Sequence, residues 1–299
     1  MHNKIAITDI KEHFINLQNS IILELENFTE NKFLRDKWER PEGGGGVTSI
    51  FENGKIIEKA GVNFSHIFGD NLPNSALANR VEFKNLPFNA LGTSIVIHPF
   101  NPFVPIIHMN VRFFSLGRNS EKWWFGGGID LTPSYIYVED AHYFHNTCKD
   151  KLNKFGEAYY PKFKKECDNY FYLKHRSEPR GIGGIFFDNF HEKSFEYSFD
   201  FIKAVGEIFL PAYVPILKKR KDNEFSETNK LFQLYRRSRY VEFNLIYDRG
   251  TLFGLESKGR TESILMSMPP MARWIYNWSP EKNSQEEKTL NLLRNQSWV

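Results

Sequence analysis

The chain has 299 residues, enough for one large domain or two of ordinary size. Hydrophobic residues make up 41% and charged residues 25%, a balance that is typical of folded proteins and excludes disordered and collagen-like chains. Lys and Arg number 39 against 36 for Asp and Glu, so the weak net charge argues against a nucleic-acid partner but suits small anionic substrates. Aromatic residues reach 16%, which predicts broad apolar walls in the core or around a flat ligand.

The N-terminal part of the chain predicts one amphipathic helix followed by β-strands. Asp9 and Glu12 have the spacing of a capping pair. The apolar residues that then repeat at helical spacing are Ile10, Phe14, Leu17, Ile21, Leu25 and Phe28. Glycines 43–46 are expected to be flexible, and Asn53-Gly54 between β-prone flanks predicts a hairpin. Further strands are predicted in TSIVIHP, in PIIHMNVRFF and over residues 123–137.

Helices are predicted next over residues 139–154, 161–173 and 194–210. Sheet is expected to return in GIGGIFFDNF and in YVEFNLIYDRGTLFGL, with a hairpin turn at 248–250 and a short helix over 227–235 between them. Ser284 with Glu287 caps a last helix that ends near Asn295. Strands that arrive as hairpins, with helices in blocks and no linker, predict a single α+β domain over residues 1–299. Its large, mainly antiparallel sheet is expected to be flanked by helices on both faces.

The remaining composition predicts a cytoplasmic protein. Cys148 and Cys167 are the only cysteines, so a disulfide framework is excluded and a reducing compartment fits. The N-terminus lacks the pattern of a signal peptide, and no apolar run approaches the ~18 residues of a membrane span. The one dense basic run, residues 218–221, is expected to be the solvated end of a helix.

The segment 106–114 is the most informative for function. Side chains alternate along a strand, so His108, Asn110 and Arg112 share one face while apolar residues occupy the other. At ~3.3 Å per residue the Cα atoms of His108 and Arg112 lie about 13 Å apart, the span of a broad flat ligand. Ser94 and His98 share one face of the preceding strand and would extend this polar row if the two strands pair. The alternative is an ordinary solvent-facing strand.

Glycines 126–128 precede Asp130, and glycine within a sheet marks either the close approach of a ligand or a bulge. Neither this cluster nor glycines 43–46 has the spacing of a phosphate-binding loop, so the sequence argues against nucleotide binding. Four histidines in the informative segments could bind a metal or move protons: His98, His108, His145 and His175. Their spacing is not specific for metal, and each could instead be structural. Ser94, His108 and Asp130 supply the residue types of a hydrolase triad, but the chain has no GxSxG nucleophile elbow.

Four segments together resemble the oxygen-dependent coproporphyrinogen III oxidases of haem biosynthesis. They are LGTSIVIHPFNPFVPIIHMNVRFF, WWFGGGIDLTP, YFYLKHRSEPRGIGGIFFDNF and FGLESKGRTESILMSMPP, within a match from about Gly43 to Trp278. One position departs from the family pattern. The pattern usually reads Gly-Gly-Arg before TESILMSMPP, and this chain reads Lys258-Gly259-Arg260. The Arg itself, Arg260, is kept.

The resemblance implies oxidative decarboxylation of two propionates of coproporphyrinogen III to vinyl groups. The product is protoporphyrinogen IX, with O2 as the co-substrate and CO2 and H2O2 as by-products. The resemblance also implies that no organic cofactor takes part, and it leaves a divalent metal open. It further implies a homodimer whose interface draws on residues 240–274.

The resemblance also assigns site residues. Substrate contacts are expected from Ser94, Asn110, Arg112, Lys258, Gly259 and Arg260. Catalytic roles fall to His108, as a proton donor, and to Arg112, and we expect the Asp130 carboxylate to face the pyrrole N–H groups and stabilise developing positive charge. In members described as metal-dependent, His98, His108, His145 and His175 would be the ligands. Two alternatives stay open: a metal-dependent hydrolase and a tetrapyrrole-binding protein without chemistry.

Overall fold

A seven-stranded sheet forms the centre of the computed structural model, which describes residues 7–41, 43–71, 86–117, 120–256, 259–294 and 297–299. The strands in chain order are β1 (Leu34–Glu39), β2 (Gly44–Glu52), β3 (Ile57–Gly69), β4 (Phe88–Pro99), β5 (Ile106–Leu116), β6 (Lys122–Thr132), β7 (Tyr172–Leu173), β8 (Glu178–Pro179) and β9 (Gly183–Phe190). The large sheet has the order β1-β2-β3-β4-β5-β6-β9, and β7 pairs with β8 alone. Every strand pair in the described residues is antiparallel, as the hairpin pattern predicts.

The helices follow the predicted blocks. They are α1 (Ile7–Leu25), α2 (Val138–Asn153), α3 (Tyr159–Tyr170), α4 (Phe195–Gly206), α5 (Phe209–Arg220), α6 (Glu227–Ile246), α7 (Arg249–Glu256), α8 (Thr261–Leu265) and α9 (Gln285–Leu293). Asp9 lies inside the first turn of α1 rather than at its cap. The Ser284 hydroxyl accepts the backbone N–H of Glu287, so the predicted cap of the last helix is confirmed. Across the described ranges, no helix combines the length and the apolar character needed to cross a membrane.

One face of the sheet is the main core. On β5, Ile107, Met109 and Val111 are fully buried on the face that α4 covers, and α1 covers the same core over β3 and β4. Phe14 of α1 and Ile202 of α4 are fully buried in the same cluster. Each such side chain contributes about 1.5–3 kcal/mol by leaving water. The strict alternation on β5 is therefore fixed by the core, and the residues between must face the other way.

The second face is covered by helices only in part. Tyr240 of α6 packs on Val96 and Ile106, and Met266, just after α8, lies directly over Gly61. Between these contacts the side chains of Ser94 and other polar residues remain half-buried. The prediction of an α+β domain with helices on both faces is confirmed, and the opening on the second face is where the polar row lies.

The sheet prediction for residues 240–255 is wrong, because this segment is helical. Ser226 and Asn229 form a reciprocal capping box that begins a helix of 20 residues, α6. Its aromatic and β-branched residues fit the helix because Tyr240 and Phe243, three positions apart, are both buried on one face. Residues 248–250 are not a hairpin turn, because the Asp248 carboxylate accepts the N–H of Thr251 at 2.7 Å and begins α7.

Two local predictions also need correction. Glycines 44–46 are not a flexible stretch but part of β2, where a Cβ at Gly44 would collide with the His66 carbonyl on β3. In the basic run 218–221, Arg220 is buried rather than solvated. Its guanidinium pairs with Asp140 at 2.7 Å and lies 3.5 Å from the ring centroid of Tyr137. The helix predicted over 194–210 ends at Gly206, and the strand predicted over 123–137 ends at Thr132.

Candidate active site

A polar row crosses the open face of the sheet. Four residues on neighbouring strands lie directly opposite one another: Thr48, Asn63, Ser94 and Asn110. The Thr48 hydroxyl donates to the Asn63 amide oxygen at 2.8 Å. The pairing of β4 with β5 therefore joins Ser94 to the row of His108, Asn110 and Arg112, as the sequence predicted. His98 lies on the same face but is fully buried beyond the end of the row.

Two glycines on β6 leave the backbone beside the polar row without side chains. Gly126 lies opposite Arg112, and a Cβ built there would be 2.8 Å from the Arg112 Nε. Gly128 lies opposite Asn110, and its Cβ would be 2.5 Å from the carbonyl oxygen of Ile185 on β9. The explanation by a bulge is confirmed, since the ladder to β9 shifts register between Phe125 and Gly127. The close approach of a ligand stays a prediction. The glycines let the guanidinium and a neighbouring strand approach the backbone.

Three charged or polar side chains meet at one end of the row. His108 and Asp130 lie opposite each other on β5 and β6, and the imidazole Nδ1 is 2.7 Å from Asp130 Oδ1. The other carboxylate oxygen accepts the Arg180 guanidinium. Arg180 is 1% exposed and lies against the rings of Phe171 and Tyr240, at 4.1 and 4.6 Å from their centroids.

Asp130 is ionised in this arrangement. Burial alone would raise the pKa of the carboxyl, but the charge of Arg180 and the hydrogen bond from His108 outweigh it and hold the pKa below its ordinary value. An ionised carboxylate only accepts hydrogen bonds, so His108 carries its proton on Nδ1. The ring nitrogen left for a ligand is Nε2, and the His108 side chain is 22% exposed.

The Asp130 carboxylate does not face the open surface. It is 3% exposed, and both of its oxygens are engaged by His108 and Arg180. The expectation that it faces the pyrrole N–H groups stays a prediction, because this structure shows the carboxylate bonded only within the protein. Asp130 instead fixes His108, which is itself on the open face.

Arg112 lies near the other end of the row. Its Nη1 donates to the Asn110 amide oxygen at 2.8 Å, and its Nη2 pairs with Asp188 on β9. The second oxygen of Asp188 accepts Arg249, at the start of α7, at 2.7 Å. The Arg249 guanidinium also lies 4.8 Å from the ring centroid of Tyr170.

A second cation stands on the opposite side of the opening. Arg260 immediately precedes α8 and pairs with Asp36 on β1. Asp36 and Arg112 are four strands apart, roughly 19 Å at the usual ~4.8 Å spacing. Gly259 donates its N–H to the Gly254 carbonyl at 2.8 Å, while Lys258 lies outside the described residues. The face thus carries a guanidinium at each side, with Thr48, Asn63 and Ser94 of the polar row between them and with Gly126 and Gly128 on β6, beyond Arg112.

The model of the coproporphyrinogen III oxidase family matches residues 9–298 of the chain. The chain belongs to this family. Membership identifies the protein as an oxidoreductase of haem biosynthesis that acts on coproporphyrinogen III. That substrate is a macrocycle edged with carboxylates, which are groups that guanidinium cations bind.

The family's candidate metal ligands do not converge in this structure. His98 Nε2 lies 2.8 Å from the Ser267 carbonyl, and His145 Nε2 lies 3.0 Å from the Ile182 carbonyl. Both nitrogens must carry protons, because a carbonyl oxygen only accepts hydrogen bonds. Burial lowers the pKa of His145 to about 3. His175 bonds to Glu242 at 2.8 Å. Within the described ranges, no three His, Cys, Asp or Glu side chains are grouped to hold a metal ion.

Sequence reasoning missed three charged residues that complete the site. Arg180 lies in a loop just before β9, and Asp188 lies on β9. Arg249 falls in the predicted turn 248–250, where the structure has the start of α7. Each pairs with a residue 50 to 76 positions away, which no local pattern reports. For Asp188 a usable signal existed, since alternation along β9 puts it on the face of Phe186.

Replacing Asp130 by Asn should destabilise the protein in a pH-dependent way. It leaves the Arg180 charge buried without its partner, which costs about 3–5 kcal/mol at pH 7. The lowered pKa of Asp130 means that its contribution is complete above the unfolded-state pKa and is lost as pH falls through the folded one. Urea unfolding of both proteins should therefore show a constant difference from pH 7 to about pH 5 that shrinks below about pH 4.

The matched control for this prediction is Asp200→Asn, which removes the same charge from a side chain that is 61% exposed on α4. Its stability should stay within about 0.5 kcal/mol of the original. Equal stability of the Asp130→Asn protein and the original at pH 7 would contradict the assignment of an ionised, buried pair.

Proposed function

We propose that the protein is an O2-dependent coproporphyrinogen III oxidase that converts two propionates to vinyl groups. For each propionate, R-CH2-CH2-COO⁻ + O2 + H⁺ gives R-CH=CH2 + CO2 + H2O2. The observation that carries the proposal is the pair of guanidinium groups, Arg112 and Arg260, on opposite sides of the open face. They suit a substrate whose carboxylates lie around the rim of a macrocycle.

The electrons for this reaction come from the substrate. A porphyrinogen is electron-rich enough to react with O2 directly, so the protein needs to bind it, orient it and keep water away. No organic cofactor is required by this chemistry. On the same ground we propose that a metal is dispensable for the chemical step.

Each site residue has a role that follows from its position. Arg112 and Arg260 bind carboxylates, and Ser94 and Asn110 offer polar contacts between them. Gly259, together with Lys258, belongs to the segment that leads to Arg260. His108, held by Asp130, presents Nε2 to the substrate and can move a proton there. Asp130 acts through His108, so it is a positioning residue.

We also propose a homodimer, built on the stretch 240–274. Large apolar side chains are exposed in this stretch: Leu245, Ile246, Leu252, Leu255, Met271 and Trp274. Exposed apolar patches of this kind are typical of protein interfaces. Tyr240 is not one of them, since it is 1% exposed within one chain. Sedimentation velocity measures the oligomeric state directly.

The proposed compartment is the cytoplasm. Cys148 and Cys167 are both free thiols in the buried interior, and burial raises the pKa of each. Free buried thiols fit a reducing environment.

The two alternatives make different demands on the site. A metal-dependent hydrolase would need the four histidines to share one centre, and they bond to separate partners. A tetrapyrrole-binding protein would use the same arginines without turnover. No observation on the open face favours either over the oxidase.

The proposal is tested by turnover of coproporphyrinogen III in air and under nitrogen, each with and without a chelator. We expect vinyl product, CO2 release and O2 uptake in air only, with the chelator leaving the rate unchanged. Turnover without O2 would refute the proposal that O2 is the oxidant. Tight binding without turnover would support the alternative of a tetrapyrrole-binding protein. If the chelator abolishes activity and added metal restores it, the proposal that a metal is dispensable for the chemical step is refuted.

Removing either rim cation should weaken substrate binding. Charge-assisted contacts to a carboxylate are worth about 1.5–3 kcal/mol each, so Arg112→Ala and Arg260→Ala should each raise KM tenfold or more. Thermal unfolding of the same preparations checks that folding is intact. The assignment fails if both variants keep the original kinetics.

Asp130→Asn should lower kcat while changing substrate affinity only a few fold. A drop of about 10² or more is the scale expected when one preorganised group is lost. Because Asp130 acts through His108, the same substitution in a His108→Gln background should have little further effect on kcat. Independent, multiplicative losses would show that Asp130 contributes by another route, and a normal kcat would remove it from the mechanism.

A further inference from the structure

Both rim arginines are already paired with aspartates. Asp188 bridges Arg112 and Arg249, and Asp36 pairs with Arg260. A carboxylate of the protein thus occupies donors of each guanidinium that a substrate carboxylate is expected to bind. The two aspartates come from opposite edges of the sheet, β9 and β1, so the pattern is repeated by unrelated parts of the fold.

We propose that Asp36 and Asp188 are resident counter-ions of the substrate site, which the carboxylates of the substrate displace. The inference rests on the proposed function, because it takes Arg112 and Arg260 as the substrate-binding cations. It goes further by naming two acidic residues that compete with the substrate and so set how strongly a carboxylate-rich ligand is held.

The exposure of these pairs shows that they can exchange. The side chains of Asp36 and Asp188 are 41% and 27% exposed, and those of Arg260 and Arg112 are 32% and 35% exposed. In the Asp130–Arg180 pair the values are 3% and 1%. Solvent screens an exposed pair and leaves it weak, whereas a buried pair cannot open without stranding a charge. The rim pairs are exchangeable and the interior pair is fixed.

The arginines keep their positions when an aspartate leaves. Asn110 accepts Arg112 Nη1 at 2.8 Å, so a neutral partner still orients that guanidinium. Arg249 stays packed on the Tyr170 ring, and its backbone N–H donates to the Tyr170 hydroxyl at 3.1 Å. The backbone of Arg260 is fixed because its carbonyl accepts the N–H of Ser263 at 3.0 Å. An incoming carboxylate therefore meets an Arg112 guanidinium that Asn110 still orients and an Arg260 whose backbone is fixed.

The exchange also fits the direction of the reaction. Each decarboxylation removes one anion from the ligand, and an arginine that held it would be left without a partner. A resident aspartate next to that arginine then pairs with it again. The dicarboxylate product therefore binds the site less tightly than the tetracarboxylate substrate.

The test measures the dissociation constant of coproporphyrin III, an aromatic tetracarboxylate that cannot be turned over, by porphyrin fluorescence anisotropy. Asp188→Asn and Asp36→Asn should each bind it about two- to fivefold more tightly than the original protein, the range set by a weak exposed pair. Asp200→Asn, which removes a charge far from the site, should not change it. Protoporphyrin IX, a dicarboxylate, should gain less from the same substitutions.

Unchanged or weaker binding by both aspartate variants would overturn the inference. It would show that these aspartates only position the arginines and do not compete with the substrate. Two separate variants guard against one that does not fold, and thermal unfolding checks each. Arg112→Gln and Arg260→Gln in the same assay separate the two failures. If they weaken binding while the aspartate variants do not strengthen it, only this inference fails; if the original protein does not bind the tetracarboxylate, the proposed function fails.

Discussion

The buried ion pair of Asp130 and Arg180 is the constraint on which the site depends. Arg180 lies just before β9, packs on the rings of Phe171 and Tyr240, and donates to the Asn244 amide oxygen on α6 at 3.3 Å. Asp130 lies on β6 and holds His108 of the next strand. One carboxylate thus ties the sheet to the helix that covers its second face. Neither charge can leave without stranding the other in the interior, so His108 keeps one tautomer and one orientation.

The rest of the site is made by the antiparallel register. Because side chains alternate along each strand, a core on one face forces Asn110 and Arg112 onto the other. Register then places Ser94 and Gly128 directly beside Asn110. Register also places Gly126 and Gly128 of β6 beside Arg112 and Asn110, and the arginines at the two sides of the row supply charge. A fold that buries one sheet face completely and the other only in part therefore produces a broad, polar, cation-edged surface suited to a macrocycle.

Sequence reasoning recovered what is local and periodic. Alternation in residues 106–114 predicted the polar face, and the order of hairpins and helix blocks predicted the α+β class. It failed where tertiary packing decides. The run that begins at Tyr240 has strand-forming residues, but a capping box at Ser226 and burial against the sheet make it helical. Pairs such as Arg260 with Asp36, 224 residues apart, appear only when the chain is folded. No local pattern shows the pair of Asp130 with Arg180, 50 residues apart, for the same reason.

The central claim is that the open face between the two rim arginines is the substrate site. The measurement that tests it most directly is an experimental structure of the protein with coproporphyrin III bound. We predict the macrocycle over Ser94 and Asn110, its carboxylates on Arg112 and on Arg260, and the ring edge within hydrogen-bond reach of His108. A macrocycle bound elsewhere, or bound here with its carboxylates away from both arginines, would contradict the account.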